Sequence, residues 1–358
     1  MKLLLILNEN PPGSHDDVHH SLEILKADEI LESYYVYPFL ARLADGSSNT
    51  EVVKEIVSIA KDFQPTGILW SHTGNLRVSE NEISILKNLS SAPSIGYWDG
   101  DIYHKFYKPL PKQVINLARG CEVSFWPGCC GMIEKLKKKG CNDIRYVPLS
   151  TDEKRFSKLR ETKIIYDVVM VGNNITSIIP LKSFPGSRER TKIADHFYKK
   201  MGPRFAVYGE GWTGKYTKGP VPFKKQGEIY HSSRIGLGLN NLHANYYFSN
   251  RLPISLSSGV IMVHNYENGV EEIFKNINYP YFFKDTDQAW EIAENLLTKS
   301  QDELDGLGSK YRDFALSNLS KVRILKYMVA ILSNYHTEKD TKKTGKVIPN
   351  PWIDAPQL

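Results

Sequence analysis

Ile165-Tyr166-Asp167-Val168-Val169-Met170-Val171-Gly172-Asn173-Asn174 is the stretch on which the fold turns. A nearly unbroken apolar run reads as a strand buried on both faces, the mark of a parallel sheet. It stops at a glycine, where the backbone can turn tightly and approach a ligand. Downstream, strand signals recur at 204–208, 235–239, 260–264 and 281–283. Helical patterns fill the gaps at 188–201, 250–258, 270–274, 287–297 and 304–317, with a last helix near 320–332. Strands alternating with helices predict a parallel sheet covered on both sides.

Upstream, the same alternation appears. Strand signals stand at 2–7, 68–70, 94–98, 122–126 and 144–147. A helical stripe covers 50–63, Ser79-x-x-Glu82 is a capping box opening a helix through Leu89, and 132–139 ends at Gly140. The stretch 150–163 is polar and reads as a linker. The expected fold is therefore α/β, two doubly wound Rossmann-like domains facing each other across a cleft. The first domain is placed at 1–155, the second at 164–335, and a polar tail at 336–358. In such sheets ligands lie at the carboxyl ends of strands, so residues just after strands carry the functional search.

Composition sets the outer bounds. The 358 residues carry 46 basic and 40 acidic side chains, a formal charge of +6, and aromatics make up 11%, which argues against wholesale disorder. Four cysteines, with no CxxC pair, read as reduced thiols and not as a disulfide or zinc framework. The apolar start stops at Leu7, too short for a signal peptide, and no run is long enough to span a membrane. A cytoplasmic location follows as the expectation. Charge is uneven: residues 1–160 hold 20 basic and 20 acidic side chains, so all of the +6 lies in 161–358. Within 182–225 the balance is 11 basic to 3 acidic, either a solvated surface or a region that handles phosphates.

The loop after the first strand runs from Asn8 through Asn10, Gly13 and His15 to His20. Its His and Asp residues lack the regular spacing of a metal site, so Asn10, Gly13 and His15 are read as a polar loop on the acceptor side. Ser71-His72-Thr73-Gly74-Asn75 and Asp99-Gly100-Asp101 follow two further strands. Transfer to a hydroxyl needs a base, and Asp99, Asp101 and His72 are the candidates. Asp-Gly-Asp is equally ordinary turn chemistry. In the second half, Gly172 and Asn173 close one strand, and Tyr208-Gly209-Glu210-Gly211-Trp212 another. Neither is a P-loop or a GxGxxG fingerprint. Arg251 opens the helix after Asn240-Asn241-Leu242-His243, a placement that suits a pyrophosphate without a metal or, equally, a surface ion pair.

Taken in order, the segments 167–173, 207–212, 230–240 and Asn250-Arg251-Leu252-Pro253, followed by an apolar strand ending in His264, resemble the donor domain of GT-B glycosyltransferases. The likeness is to the family-1-like group that includes spore-maturation-type enzymes, and it covers about 165–335. It implies a nucleotide-sugar donor, UDP- or GDP-linked, held by the second domain without a metal or other cofactor. Arg251 then faces the diphosphate, and Gly172, Asn173, Gly209, Trp212, Asn240 and His264 line the nucleotide. Acceptor and base would come from the first domain. Members often carry a Glu three residues after the Arg to hold the ribose; here that position is Ile254, which leaves Glu267 or Glu271 for the task.

The expected function is a hexosyl or pentosyl transfer to the hydroxyl of a glycan or small molecule. A second reading makes the acceptor hydroxymethylated DNA, on the strength of the basic cluster Lys182 to Lys225 with Trp212, Tyr216 and Phe223 interleaved, and of Lys135–Lys139. A third is a non-catalytic nucleotide-sugar-binding protein, and a fourth a nucleotide-sugar epimerase on the same fold.

Overall fold

The computed structural model describes residues 1–74, 76–129, 131–141, 143–158, 163–175, 183–341 and 350–353, without the side chains of 339–341. The chain divides into two compact units, Met1–Val147 with Lys321–Leu358, and Pro148–Ser320.

In the first unit the order is β1 (Lys2–Leu7), α1 (Asp16–Ala27), β2 (Ser33–Pro38), α2 (Phe39–Ala44), α3 (Asn49–Phe63), β3 (Gly67–Ser71), α4 (Glu80–Lys87), β4 (Ser94–Trp98), α5 (Lys112–Gly120), β5 (Val123–Trp126), α6 (Gly131–Lys138) and β6 (Asp143–Tyr146). Six parallel strands lie in the order β2-β1-β3-β4-β5-β6. Strand β1 is buried because Leu3–Leu7 are apolar without interruption. Capping boxes at Ser48/Glu51 and Ser79/Glu82 open α3 and α4, as the second of these spacings predicts.

The second unit holds α7 (Glu153–Phe156), β7 (Tyr166–Val171), α8 (Pro185–Met201), β8 (Phe205–Tyr208), α9 (Gln226–His231), β9 (Ser233–Gly238), α10 (Arg251–Ser257), β10 (Met262–Asn265), α11 (Val270–Ile273), β11 (Phe282–Phe283), α12 (Thr286–Leu297) and α13 (Gln301–Asn318). Its five parallel strands run β11-β10-β9-β7-β8. The chain goes from β7 outward to β8 and then returns to β9 on the other side. The switch point therefore falls between β7 and β9, where crevices open in such sheets.

The last helix, α14 (Lys321–Thr341), differs from the expectation. The sequence assigns 320–332 to the second domain, whereas α14 packs in the first unit against α1, β3 and β4. The Ser94 hydroxyl donates to the Leu332 carbonyl at 2.7 Å, and Leu332 lies against Gly96. An apolar stripe announces a helix but does not say which sheet it covers. The unit boundary after Val147 also precedes the expected linker, and α7 already belongs to the second unit. Most of the tail lies outside the described residues.

Candidate functional site

Two clusters of polar side chains stand at the carboxyl edges of the sheets, one in each unit. In the first unit, Ser71 and Trp98 end paired strands β3 and β4, so the residues just beyond them become neighbours. His72 Nδ1 donates to Asp99 Oδ1 at 2.7 Å, and His72 Nε2 lies 3.3 Å from Asp101 Oδ2. Lys108 Nζ closes the group at 2.5 Å from the same Asp101 oxygen. Asp99 is 1% exposed. Its Oδ1 also accepts the Asp101 backbone N–H at 2.9 Å, and its Oδ2 accepts the Tyr97 and Tyr103 hydroxyls at 2.6 and 3.0 Å. Four donors leave Asp99 with no lone pair to spare for a substrate proton.

Asp99 is thus a holder of His72, and half-exposed Asp101 is the carboxylate with access to solvent. The Asp99 hydrogen bond, against the opposing effect of burial, raises the His72 pKa above its ordinary value. His72 adopts φ 54°, an uncommon backbone for a non-glycine residue and a sign that the surroundings dictate its place. One ligand atom from each of His72, Asp99 and Asp101 falls within 4.8 Å of the others, a metal-like grouping. Their chemistry points elsewhere, because the Asp99 oxygens face N–H and O–H donors and Asp101 faces an ammonium.

The loop after β1 contributes less than expected. Asp16 to His20 belong to helix α1, so the run of His and Asp is half helix. Glu9, 1% exposed, accepts from the His15 backbone N–H at 3.3 Å and lies 3.1 Å from His19 Nε2. His15 Nε2 turns to the Asn8 carbonyl at 3.3 Å. Gly13 takes φ 81° in the turn after a cis Asn10-Pro11 bond. These contacts order the loop around a buried carboxylate.

In the second unit, β7 ends at Gly172 and β8 at Gly209. A Cβ at Gly209, where φ is 144°, would stand 2.2 Å from the Gly172 carbonyl oxygen, so only glycine fits. The Trp212 indole donates to that same oxygen at 2.7 Å. Arg251 begins α10, and a Cβ at Gly172 would meet its Nε at 3.0 Å. That Nε is buried and has no hydrogen-bond partner among the described residues. Helix α10 has seven residues, too short for its dipole to add much, so the guanidinium itself is the anion-directed feature.

Several expected donor contacts turn out to be braces. Asn240, fully buried, receives the Ser249 N–H at 3.0 Å and donates to the Tyr247 carbonyl and to Glu267, both at 3.2 Å. Glu267 Oε1 also accepts from Asn265 at 2.7 Å and from His243 Nδ1 at 2.8 Å. Glu271 accepts from the Tyr266 hydroxyl and the Gly269 N–H. Hydrogen bonds from its ring to the Glu189 and Glu267 carboxylates raise the His243 pKa to about 10. Buried His264 places Nδ1 2.9 Å from the Asn265 carbonyl, so Nδ1 carries the proton and Nε2 is a bare, unpartnered acceptor. Burial holds its pKa down at about 4. Ile254 is fully buried in the core, so no acid stands at the expected ribose position. A cavity of about 390 Å³ opens beside this network, lined in part by Glu189, Lys192, His243, Tyr266 and Lys284.

Of the aromatic residues interleaved with the basic cluster, two are buried. Trp212 and Tyr216 are 8% and 3% exposed and pack edge-on against each other, leaving only Phe223 at the surface. Lys182 lies outside the described residues. Arg190, one of the basic residues counted in 182–225, is 1% exposed. Its spacing was the available signal: with Ile193, Ala194 and Phe197 it falls on the buried stripe of α8.

With both edges laid out, the two doubly wound sheets define a two-unit Rossmann-like α/β protein of the GT-B fold. A family described as glycosyl transferase-like matches residues 188–330, almost all within the second unit. No curated protein matches the chain. The T4 phage β-glucosyltransferase, solved with its UDP-glucose substrate, is 12% identical, with a TM-score of 0.53 over 92% of this chain and 99% of its own. The Anabaena protein HepE, solved with UDP, is 12% identical, with a TM-score of 0.54 over 93% of this chain and 100% of its own. A sucrose-phosphate synthase from Thermosynechococcus elongatus is 9% identical, with a TM-score of 0.57 over 95% and 100%. No described helix is long and apolar enough to cross a membrane.

Proposed function

We propose that this protein is a metal-independent glycosyltransferase that moves a hexosyl or pentosyl group from a UDP- or GDP-linked donor to an acceptor hydroxyl. The observation that carries the reading is Arg251, a partly buried cation whose Nε has no hydrogen-bond partner among the described residues, set against the Gly172 turn beside the switch point of the second sheet. Departure of a nucleoside diphosphate develops negative charge, and an unpaired guanidinium in a partly dry site stabilises it. The glycosyl transferase-like family match over 188–330 and the UDP-bound structural relatives agree with a donor held by this unit. We assign Asp101 the acceptor's proton, with Asp99 fixing His72 and His72 and Lys108 orienting the base. The buried thiols of Cys121 and Cys141 accord with a cytoplasmic setting.

The test is release of UDP or GDP from a panel of sugar nucleotides in EDTA, with glycerol, simple sugars and duplex DNA as acceptors. Acceptor-dependent release that Asp101→Asn removes supports the reading. A product formed without any acceptor would mean epimerisation instead.

A second acceptor reading, hydroxymethylated DNA, is favoured by one feature of the first unit. Phe106 is 75% exposed between Lys105 and Lys108, on the loop that follows Asp101, and Lys135, Lys137 and Lys138 are exposed on α6. Duplex binding that falls steeply with salt distinguishes this acceptor from a glycan.

A further inference from the structure

Helix α8 buries one charged residue among apolar ones. Arg190 Nη1 donates to the Asn173 carbonyl at 2.5 Å, and its Nη2 donates to the Leu239 carbonyl. Those carbonyls lie just beyond β7 and β9, the two strands that flank the switch point. Arg190 therefore ties the two lips of the crevice together from below. It also turns two carbonyl oxygens toward itself, away from any anion above them.

A neutral donor would tie the lips as well, so the charge calls for its own explanation. The groups acting on Arg190 are Arg251, Tyr247 and Tyr230, none of them a carboxylate. Burial and Arg251 push its pKa down to about 9, and it remains a cation at neutral pH. Among the described residues its Nε has no partner, nor has the Arg251 Nε, nor the hydroxyl of fully buried Tyr230. His264 is neutral at pH 7 and offers no counter-charge. A buried guanidinium beside a second one, with no carboxylate among the groups acting on it, is unfavourable unless something offsets its charge. Of these donors the Arg251 Nε lies against the Gly172 turn, where an anion can answer it, and the Arg190 charge behind it adds to the attraction.

We propose that Arg190 is a positioning residue that supplies the second positive charge of a diphosphate site, acting through Arg251 and the Asn173 and Leu239 backbone without touching the anion. This rests on the nucleotide-sugar reading and deepens it, because discrimination between a nucleoside diphosphate and its nucleoside then depends on two charges. Arg190→Lys keeps the charge and gives up the fork. Arg190→Gln keeps a donor for the backbone and gives up the charge.

The experiment measures dissociation constants of UDP, GDP, uridine, guanosine and inorganic pyrophosphate for the wild type and both variants. The expected result is that R190Q weakens the preferred nucleoside diphosphate about tenfold or more and leaves its nucleoside unchanged, while R190K stays within about threefold of wild type. Equal losses in R190K and R190Q, or equal losses for diphosphate and nucleoside, overturn the proposal and leave Arg190 a mechanical clamp. Arg190→Met is a second uncharged variant, and failure of both uncharged variants to fold also overturns it. Wild type that binds pyrophosphate but neither UDP nor GDP keeps the anion site and removes the glycosyltransferase reading. Wild type that binds none of the three removes both.

Discussion

The carboxyl edges of the two sheets are built on opposite electrical plans. In the first unit every charge has its answer: Asp99 holds four donors, His72 stands between two carboxylates, and Lys108 returns to Asp101. In the second, Arg190 and Arg251 are near enough to repel, and no carboxylate answers Arg190. The first edge is a finished network that holds one accessible carboxylate in place. The second sets two arginines, each with an Nε unpartnered among the described residues, beside a network of its own around Glu267. A balanced cluster suits proton transfer, where geometry must be ready before substrate arrives. An unbalanced one suits binding of charge.

The comparison breaks most visibly at the second edge. Arg251→Ala is expected to weaken UDP or GDP binding by about a hundredfold, since a charge-assisted contact to a phosphate carries that much, and calorimetry reads it directly. At the first edge, Asp101→Asn should lower kcat by about a hundredfold or more with the donor dissociation constant unchanged. Movement of donor affinity instead of kcat would dissolve the division of labour between the edges.

A structural test comes next in size. Gly209→Ala forces a Cβ into the Gly172 carbonyl at positive φ, and a loss of about 2–4 kcal/mol is expected in denaturant unfolding.

Protonation sharpens the contrast further. His264 has a folded pKa of about 4, below the ordinary 6.5, so the folded state resists protonation that the unfolded chain accepts. Its contribution to stability is present above pH 6.5 and is lost as pH falls from 6.5 through 4, by on the order of 3 kcal/mol. His264→Asn should flatten that acid limb of a stability–pH curve. His72 has the opposite sign: its folded pKa is raised, so its contribution is full below 6.5 and fades as pH rises through the raised value. Its imidazole resonances followed by NMR should titrate above 6.5, and Asp99→Asn should bring them back down.

The sequence is most legible where apolar runs are longest. Strands β1, β3, β4 and β7 follow from uninterrupted buried residues, and the α4 capping box from its spacing. Strand β2 carries no such signal. It lies at the sheet edge, and only Tyr37 of Ser33–Pro38 is buried, so no apolar run marks it. The sequence brings His72, Asp99 and Asp101 forward as separate residues after strands. It does not show that the first two touch, because that follows from β3 pairing with β4 across 27 positions. Nor does it distinguish Asp99 from Asp101, since Tyr97 and Tyr103 saturate one and spare the other. Arg190 illustrates the reverse failure. Its composition suggests surface, its helical spacing suggests core, and the spacing prevails.

Arg251, backed by the Arg190 charge, is assigned the nucleoside diphosphate without a metal. The most direct measurement is a thermal unfolding series with UDP and GDP in EDTA, on wild type and on Arg251→Ala. The account predicts that one nucleotide raises the wild-type midpoint, by the equivalent of about 2.7 kcal/mol at a hundredfold its dissociation constant, and leaves the variant unmoved. An unchanged wild-type midpoint with both nucleotides, or an equal rise in the variant, would contradict it.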